Sequence, residues 1–232
     1  MRQIPLAIGP APQHTFEGFL PGANAAAVAH LQTLAVSLDR PKSTLTTPTY
    51  LWGSHGSGKS HLLRALAEQA AAQGQRSAWF DATSATPWPF DDGWALVLID
   101  ACEALDANQQ HAAFALFIEA GVVGLPIVAA GTLPPVDLPL REDLRTRLAW
   151  GHVFALEPLS EVDARAALRR EADRRGIFLS DEVMDFLLTR FSRDLQNLMA
   201  LLDRLDEFAL SQGRAVSVPL LKRMFEQEGA GL

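Results

Sequence analysis

A short glycine-rich stretch constrains this chain more than any other feature. It has the spacing G-x-x-x-x-G-K-[ST] of a phosphate-binding loop and reads Gly53-Ser54-His55-Gly56-Ser57-Gly58-Lys59-Ser60. A β-prone segment, residues 49–52, precedes it, and a segment with helical periodicity begins at His61. This order aims backbone N–H groups and a helix N-terminus at an anion. We expect Lys59 to reach the β- and γ-phosphates of a nucleotide and the Ser60 hydroxyl to bind Mg²⁺.

Length, charge and composition narrow the class of protein. The 232 residues can hold one large domain or two small ones, and the net charge of −7 weighs against a large nucleic-acid footprint. The single cysteine, Cys102, allows no internal disulfide and fits a cytoplasmic setting. No apolar run is long enough for a signal peptide or a membrane helix, so we expect no membrane association. The scattered histidines give no zinc-binding spacing.

Strand and helix patterns alternate up to residue 159 and then become purely helical. Strands are predicted over residues 49–52, 76–81, 94–100, 125–132 and 152–156. Helices are predicted between them over residues 25–38, 61–72, 108–121 and 141–149. Four further helices follow over residues 160–175, 181–190, 194–211 and 217–228. We predict an α/β fold with a doubly wound parallel sheet, followed by a small all-α lid. The predicted domains are a tail and linker over 1–12, the α/β part over 13–159 and the lid over 160–232.

Asp100 is the second candidate in a nucleotide site. It ends the apolar strand over residues 94–99, where a carboxylate can hold Mg²⁺ through water. A nucleotide-hydrolysing site also needs a carboxylate that orients water, but the next residue is Ala101. Glu103 is close in sequence, and we expect it on a different face, as a structural residue or a weak substitute.

Three further residues have open interpretations. Thr132 could bond a γ-phosphate or a water, or its hydroxyl could close the turn that follows. Arg147 has the planar, always ionised group that suits transition-state phosphate charge, or it is a surface arginine paired with Asp143. Arg193 could reach a phosphate from the lid, or it is a solvated residue in a first helical turn.

The amino-terminal segment is a candidate docking peptide. A glutamine is followed by spaced apolar residues, in the order Gln3-Ile4-Pro5-Leu6-Ala7-Ile8. Exposed apolar residues on a chain end can dock on a partner, or they can pack on their own domain. Composition alone favours the second interpretation.

With these residues in place, the chain resembles the AAA+ ATPase domain of the DnaA family of replication initiators. Residues 50–63 resemble the family's phosphate loop, including His61-Leu62 after Ser60. Four other segments resemble further motifs of the family. Residues 15–22 resemble the motif near the adenine, and residues 132–135 resemble sensor 1, with Thr132 in place of the usual Asp. Residues 145–151 resemble the arginine-finger motif, and residues 193–195 resemble sensor 2.

The resemblance implies roles for these residues. Phe16 would lie near the adenine of a bound ADP or ATP, His61 would flank the phosphate loop, and Arg193 would be the lid arginine. Arg147 would be an arginine finger that acts in trans on DnaA. The segment from Gln3 to Ile8 resembles the glutamine-led hexapeptide that binds the sliding clamp, the β subunit of DNA polymerase III, and departs from it at Ile4 and Ala7-Ile8.

The resemblance leads to a main hypothesis with two rivals. A DnaA-like core with a clamp peptide and no basic DNA-binding segment implies a negative regulator of replication initiation, without strong direct DNA binding. Its intrinsic ATPase is expected to be weak or absent, and a homodimer or higher oligomer that buries Arg147 is possible. The first rival is an autonomous AAA+ ATPase resembling a helicase loader. The second is a nucleotide-dependent adaptor with no catalytic contribution.

Overall fold

The computed structural model describes residues 14–38, 46–190 and 195–227. Two compact units divide them. The described residues up to Ala155, apart from Ser54–Gly58, form the first unit, and Ser54–Gly58 and the described residues from Leu156 onward form the second. Within the described ranges, no helix is long and apolar enough to cross a membrane.

Five strands form the sheet of the first unit. They are β1 (Thr49–Trp52), β2 (Arg76–Phe80), β3 (Trp94–Ile99), β4 (Ile127–Gly131) and β5 (His152–Ala155). All side chains of β4, and all of β3 after Trp94, are buried. Unbroken burial explains why these strands read as continuous apolar runs, since helices cover both faces of a central parallel strand.

The strand order is β2-β3-β4-β1-β5, and every pairing is parallel. The prediction of a parallel α/β fold followed by a helical part is therefore confirmed. The register pairs Trp52 at the end of β1 with Gly131 at the end of β4. Because parallel strands end at the same edge, the residues after β1, β3 and β4 meet there.

The helices of the first unit are α1 (Ala25–Ser37), α2 (Lys59–Ala72), α3 (Ala107–Val123) and α4 (Glu142–Ala149). Helix α1 buries Val28, Leu31 and Ala35, as its periodicity predicts. Helix α3 begins before the predicted start at 108. Asp106 caps it, and the Asp106 and Gln109 side chains each accept a backbone N–H of the other residue.

The second unit contains α5 (Glu161–Arg174), α6 (Asp181–Arg190), α7 (Leu195–Gln212) and α8 (Val218–Gln227), close to the predicted bounds. The Ser160 hydroxyl accepts the Asp163 N–H at 3.1 Å and caps α5. The apolar residues of all four helices meet in one core, with Leu168, Leu202, Leu205 and Leu221 fully buried. This core explains the helical spacing of leucines in the sequence.

Two histidines, one on α1 and one on β5, bring their rings into contact in the first unit. The ring of His30 lies 4.4 Å from that of His152 and 5.1 Å from that of Phe154, centre to centre. The Nε2 atom of His30 lies 2.8 Å from Thr49 Oγ1. Burial lowers the pKa of His30, and the neighbouring His152 lowers it further. The folded state therefore favours the neutral imidazole.

This pair predicts a loss of stability in weak acid. The unfolded chain takes up a proton at His30 near the ordinary pKa of about 6.5, before the folded chain does, so stability falls as the pH drops below that value. We expect His30→Gln, whose amide can still bond Thr49, to unfold with a weaker pH dependence between about pH 7.5 and 5.5. Denaturant unfolding at several pH values measures it. The control is His111→Gln, which replaces an exposed histidine of α3. Equal pH dependence of stability in the two variants would contradict the prediction.

Candidate functional site

The glycine loop adopts the backbone that its sequence predicts. Gly56 has φ 77° and Gly58 has φ 91°, values that favour glycine. Helix α2 begins directly afterwards at Lys59. The first N–H groups of α2 have no partner within the helix, so the loop leads into a helix end that attracts anions.

The side chain of Lys59 is buried beside the strand ends. It is 9% exposed, and its Nζ donates a hydrogen bond to the Gly53 carbonyl at 2.7 Å. Burial lowers the pKa of Lys59, whereas the charges of Glu103 and Asp100 act in the opposite direction. A buried ammonium that two carboxylates help to keep charged is suited to bind a phosphate oxygen.

Asp100 follows β3, as predicted, at the same edge of the sheet. Its backbone N–H donates to the Phe80 carbonyl at 2.9 Å, and its Oδ1 accepts the Ala101 N–H at 2.9 Å. Ala101 has φ 50°, in the left-handed region that a side chain disfavours by roughly 1 kcal/mol. The strained residue turns the chain sharply into the 3-10 turn Cys102–Ala104.

This turn brings Glu103 into the site. The sequence predicts Glu103 on a different face from Asp100. In the structure its Oε2 accepts the Thr132 N–H at 3.1 Å, and its charge acts on Lys59 together with that of Asp100. The expectation was wrong because the left-handed conformation of Ala101 is not visible in the sequence. Glu103 is a structural residue, as predicted, and it also contributes charge to the site.

Tyr50 is a residue of this region that sequence reasoning missed. It is fully buried in β1, and its hydroxyl donates to the Leu133 carbonyl at 2.8 Å. Burial raises the pKa of Tyr50, so the hydroxyl stays protonated and donates. The signal in the sequence was that the only tyrosine of the chain stands in the strand before the glycine loop. Tyr50 and Glu103 together hold the segment that contains Thr132.

Gly131 makes room for these two contacts. A Cβ atom there would overlap the Tyr50 hydroxyl and would lie 2.9 Å from Glu103 Oε2. Both approaches are closer than carbon–oxygen contacts allow, so the end of β4 accepts only glycine without rearrangement.

The remaining residues of the predicted site lie near α2. The Nε2 atom of His61 lies 2.9 Å from the Thr15 carbonyl, and its ring lies 5.7 Å from that of Phe19. Phe16 is 5% exposed within the same segment. In the loop, Ser57 is buried, whereas Ser54 and His55 are exposed. Ser60 lies in the first turn of α2 and is partly exposed.

Arg147 lies in the last turn of α4. It lines an open cleft of about 720 Å³, whose other lining residues are Phe114, Arg141, Glu142, Asp143, Thr146 and Trp150. The guanidinium of Arg147 forms no hydrogen bond or ion pair with any other described residue. Asp143 instead binds Arg141, at 2.6 Å. The interpretation of Arg147 as a surface arginine paired with Asp143 is therefore wrong.

Arg193 and the segment from Gln3 to Ile8 lie outside the described residues.

Comparisons with known proteins identify two parts of the chain. Residues 11–82 match the model of the bacterial DnaA ATPase domain, and residues 161–225 match the model of the Hda lid domain. The chain is a DnaA-like AAA+ protein. The predicted family is confirmed, and the helical part of the chain resembles the lid domain of Hda.

Solved structures that share the fold of this DnaA-like protein include DnaA initiators and RuvB. Domain III of Thermotoga maritima DnaA is 20% identical, with a TM-score of 0.71 over 94% of this chain and 98% of that chain. AMPPCP-bound DnaA from Aquifex aeolicus is 21% identical, with a TM-score of 0.68 over 94% and 70%. A mutant of Thermotoga maritima RuvB is 15% identical, with a TM-score of 0.66 over 95% and 75%. At these identities, the likeness shows the AAA+ fold.

The crowding at Gly131 predicts that one added methyl group lowers the stability of the fold. We expect Gly131→Ala to lower the free energy of unfolding by about 1–3 kcal/mol, because the new Cβ displaces the Tyr50 hydroxyl or the Glu103 carboxylate. Denaturant unfolding measures this change. The matched control is Gly121→Ala in α3, where a Cβ meets no atom within 4 Å. There we expect a gain of about 0.5–1 kcal/mol from helix propensity. Similar stability of the two variants would refute the steric account.

Proposed function

We propose that this protein binds an adenine nucleotide and negatively regulates the initiation of DNA replication in bacteria. Its tail would dock on the DNA-loaded sliding clamp, and Arg147 would stimulate hydrolysis of the ATP bound to DnaA. The observation that carries this proposal is Arg147 in the cleft at α4, without an ion pair among the described residues, in a chain with a lid of the Hda type.

The residues at the strand ends fit a nucleotide with Mg²⁺. The proposed phosphate ligands are the loop from Gly53 to Gly58 and the buried ammonium of Lys59. Ser60 and Asp100 would hold the Mg²⁺, whose charge offsets that of the phosphates. Phe16 and His61 would lie toward the adenine side, Thr132 beyond the last phosphate, and Arg193 on the lid. The solved DnaA relative with AMPPCP supports an adenine nucleotide, and ADP or ATP would both use these ligands.

Arg147 would act on another molecule's triphosphate. A guanidinium is always charged and offers a planar set of donors, so it can stabilise the charge that develops on a transferred phosphoryl group. Arg147 has no ion pair among the described residues, so it would do so without first breaking one, and the Asp143 carboxylate is bound to Arg141. An adjoining Trp150, 62% exposed, adds apolar surface for a partner.

We propose that the protein's own turnover is slow. The position after Asp100 is Ala101, so the carboxylate that would orient water is missing there. The nucleotide would then act as a conformational ligand. If the surface around Arg147 bound a second copy of this chain, a homodimer or a higher oligomer would form.

One observation favours the rival interpretation as an autonomous ATPase. Glu103 lies close enough to Lys59 to act on its pKa, so a second carboxylate is present near the proposed phosphates. An autonomous enzyme would hydrolyse ATP without DnaA or the clamp. An adaptor without catalytic contribution would bind both partners and leave the ATP on DnaA unchanged.

The nucleotide proposal is tested with Lys59→Ala. We expect its affinity for fluorescent ADP to fall at least about 10- to 100-fold, because a charge-assisted bond to phosphate is lost. Equilibrium titration measures the affinity. The control is Lys222→Ala, which removes an exposed lysine from α8. Unchanged affinity in Lys59→Ala would exclude the glycine loop as the phosphate site.

The regulatory proposal is tested by single-turnover hydrolysis of DnaA-bound ATP in the presence of clamp-loaded DNA. We expect Arg147→Ala to lose most of the stimulation of ATP hydrolysis. Arginine fingers in GTPases accelerate hydrolysis by about 10³–10⁵-fold. Arg170→Ala, an exposed arginine of α5 without an ion pair among the described residues, is the charge-matched control. Gln3→Ala should lose only the dependence on the clamp.

The outcomes of this experiment separate the three hypotheses. Full stimulation by Arg147→Ala would reject the arginine finger and leave an adaptor. Rapid hydrolysis of free ATP by the wild-type protein alone, without need for Gln3, would support the autonomous ATPase instead.

A further inference from the structure

Helix α4, which presents Arg147, begins without the side-chain cap that is usual at helix starts. Its N-cap residue is Arg141, whose side chain caps none of the backbone N–H groups of the described helix. An arginine side chain has only N–H donors, so it cannot accept the N–H groups at a helix start. With eight residues, α4 is also too short to be stable by its own backbone bonds. Contacts with the rest of the fold must therefore fix its position.

A glutamine on α3 supplies a contact at this start. The Oε1 atom of Gln110 accepts the backbone N–H of Arg141 at 3.0 Å, and its Nε2 atom donates to the Leu105 carbonyl at 2.8 Å. These two partners determine the orientation of the amide, because a backbone N–H requires the oxygen and a carbonyl requires the NH₂ group. One half-buried side chain thus joins the end of the turn after β3 to the N-cap of α4.

The opposite end of α4 is fixed by the segment before β1. The His152 N–H donates to the Pro48 carbonyl at 2.9 Å, and a Cβ atom on Gly151 would overlap the same carbonyl. This contact directly follows Trp150, the C-cap residue of the helix. Arg147 therefore lies on a helix that is held at both ends before a partner binds, as a preorganised site requires.

We propose that Gln110 is a positioning residue for Arg147, which fixes the direction of α4 by holding the N–H of its N-cap residue. This inference rests on the proposed action of Arg147 on the ATP of a second molecule. In this role Gln110 acts through the helix rather than on the triphosphate, and the bond to Leu105 holds the amide itself in place. Once the contact is lost, α4 tilts about its fixed end and carries the guanidinium away from the geometry that stabilises a transferred phosphoryl group.

Two substitutions separate the contact with α4 from the packing of α3. Gln110→Met keeps the length and the approximate volume of the side chain and removes both hydrogen bonds. Gln110→Glu keeps an oxygen that accepts the Arg141 N–H and loses the donor to Leu105. The control is Gln32→Met, which replaces an exposed glutamine of α1.

The measurement is single-turnover hydrolysis of DnaA-bound ATP with clamp-loaded DNA, over a range of concentrations of this protein. We expect Gln110→Met to lower the maximal rate about tenfold and to leave the half-saturating concentration within about twofold, because a displaced finger loses transition-state stabilisation rather than binding. Gln110→Glu should retain the maximal rate within about threefold, since the bond to α4 remains. An unchanged maximal rate in Gln110→Met overturns the inference.

A double substitution distinguishes positioning of the finger from a general loss of structure. If Gln110 acts through Arg147, Gln110→Met should cause no further loss of rate in an Arg147→Ala background. A further loss in that background overturns the inference while the role of Arg147 stands. Full stimulation by Arg147→Ala overturns the proposed function, and the inference with it.

A test on the wild-type protein covers the case in which the variants fail to fold. Amide hydrogen exchange followed by NMR compares Arg141 with Glu142, the first residue of α4, after correction for intrinsic exchange rates. The first N–H groups of a helix have no partner within it, whereas the N–H of Arg141 is bonded to Gln110. We expect Arg141 to exchange at least about tenfold more slowly than Glu142. Equal exchange at the two residues overturns the inference, whether or not the variants are obtained.

Discussion

The parallel pairing of β1 with β4 is the constraint on which the candidate site depends. It places Gly53, at the start of the glycine loop, beside Gly131, whose carbonyl accepts the Gly53 N–H at 3.3 Å. Lys59 bonds the Gly53 carbonyl, and Tyr50 reaches Leu133 across the same pair of strands. A shift of register by one residue would turn Tyr50 to the other face and separate these groups.

The sequence predicted what local patterns determine. The strands before and after the glycine loop, and the lid helices, have a periodicity that follows from burial of one face or of a whole strand. The glycine loop was predictable because its φ angles leave almost no choice of residue at Gly56 and Gly58. Asp100 was placed correctly because a carboxylate that ends an apolar strand must lie at the carboxyl edge of the sheet.

The features that the sequence did not reveal depend on backbone conformation or on distant contacts. Ala101 is left-handed, although nothing about an alanine predicts that conformation, and Glu103 enters the site because of it. The bond from Tyr50 to Leu133 spans 83 residues of sequence. Asp143 has Arg141, Arg145 and Arg147 close in sequence, and only the structure shows that it binds Arg141. Side-chain pairing among several candidates is therefore the least predictable level.

The pairing on α4 also has an energetic consequence for any partner. The ion pair of Arg141 and Asp143 is only partly exposed, and pairs near the surface contribute little to stability, about 0–1 kcal/mol, so it does little to hold α4 in place. Their pairing does determine which guanidinium stays available. In the proposed role of Arg147, a partner that engages it would not have to break an ion pair with any described residue. The arginine that caps α4, Arg141, is thus neutralised within the chain, whereas Arg147 in its last turn is the arginine proposed to act on a second molecule.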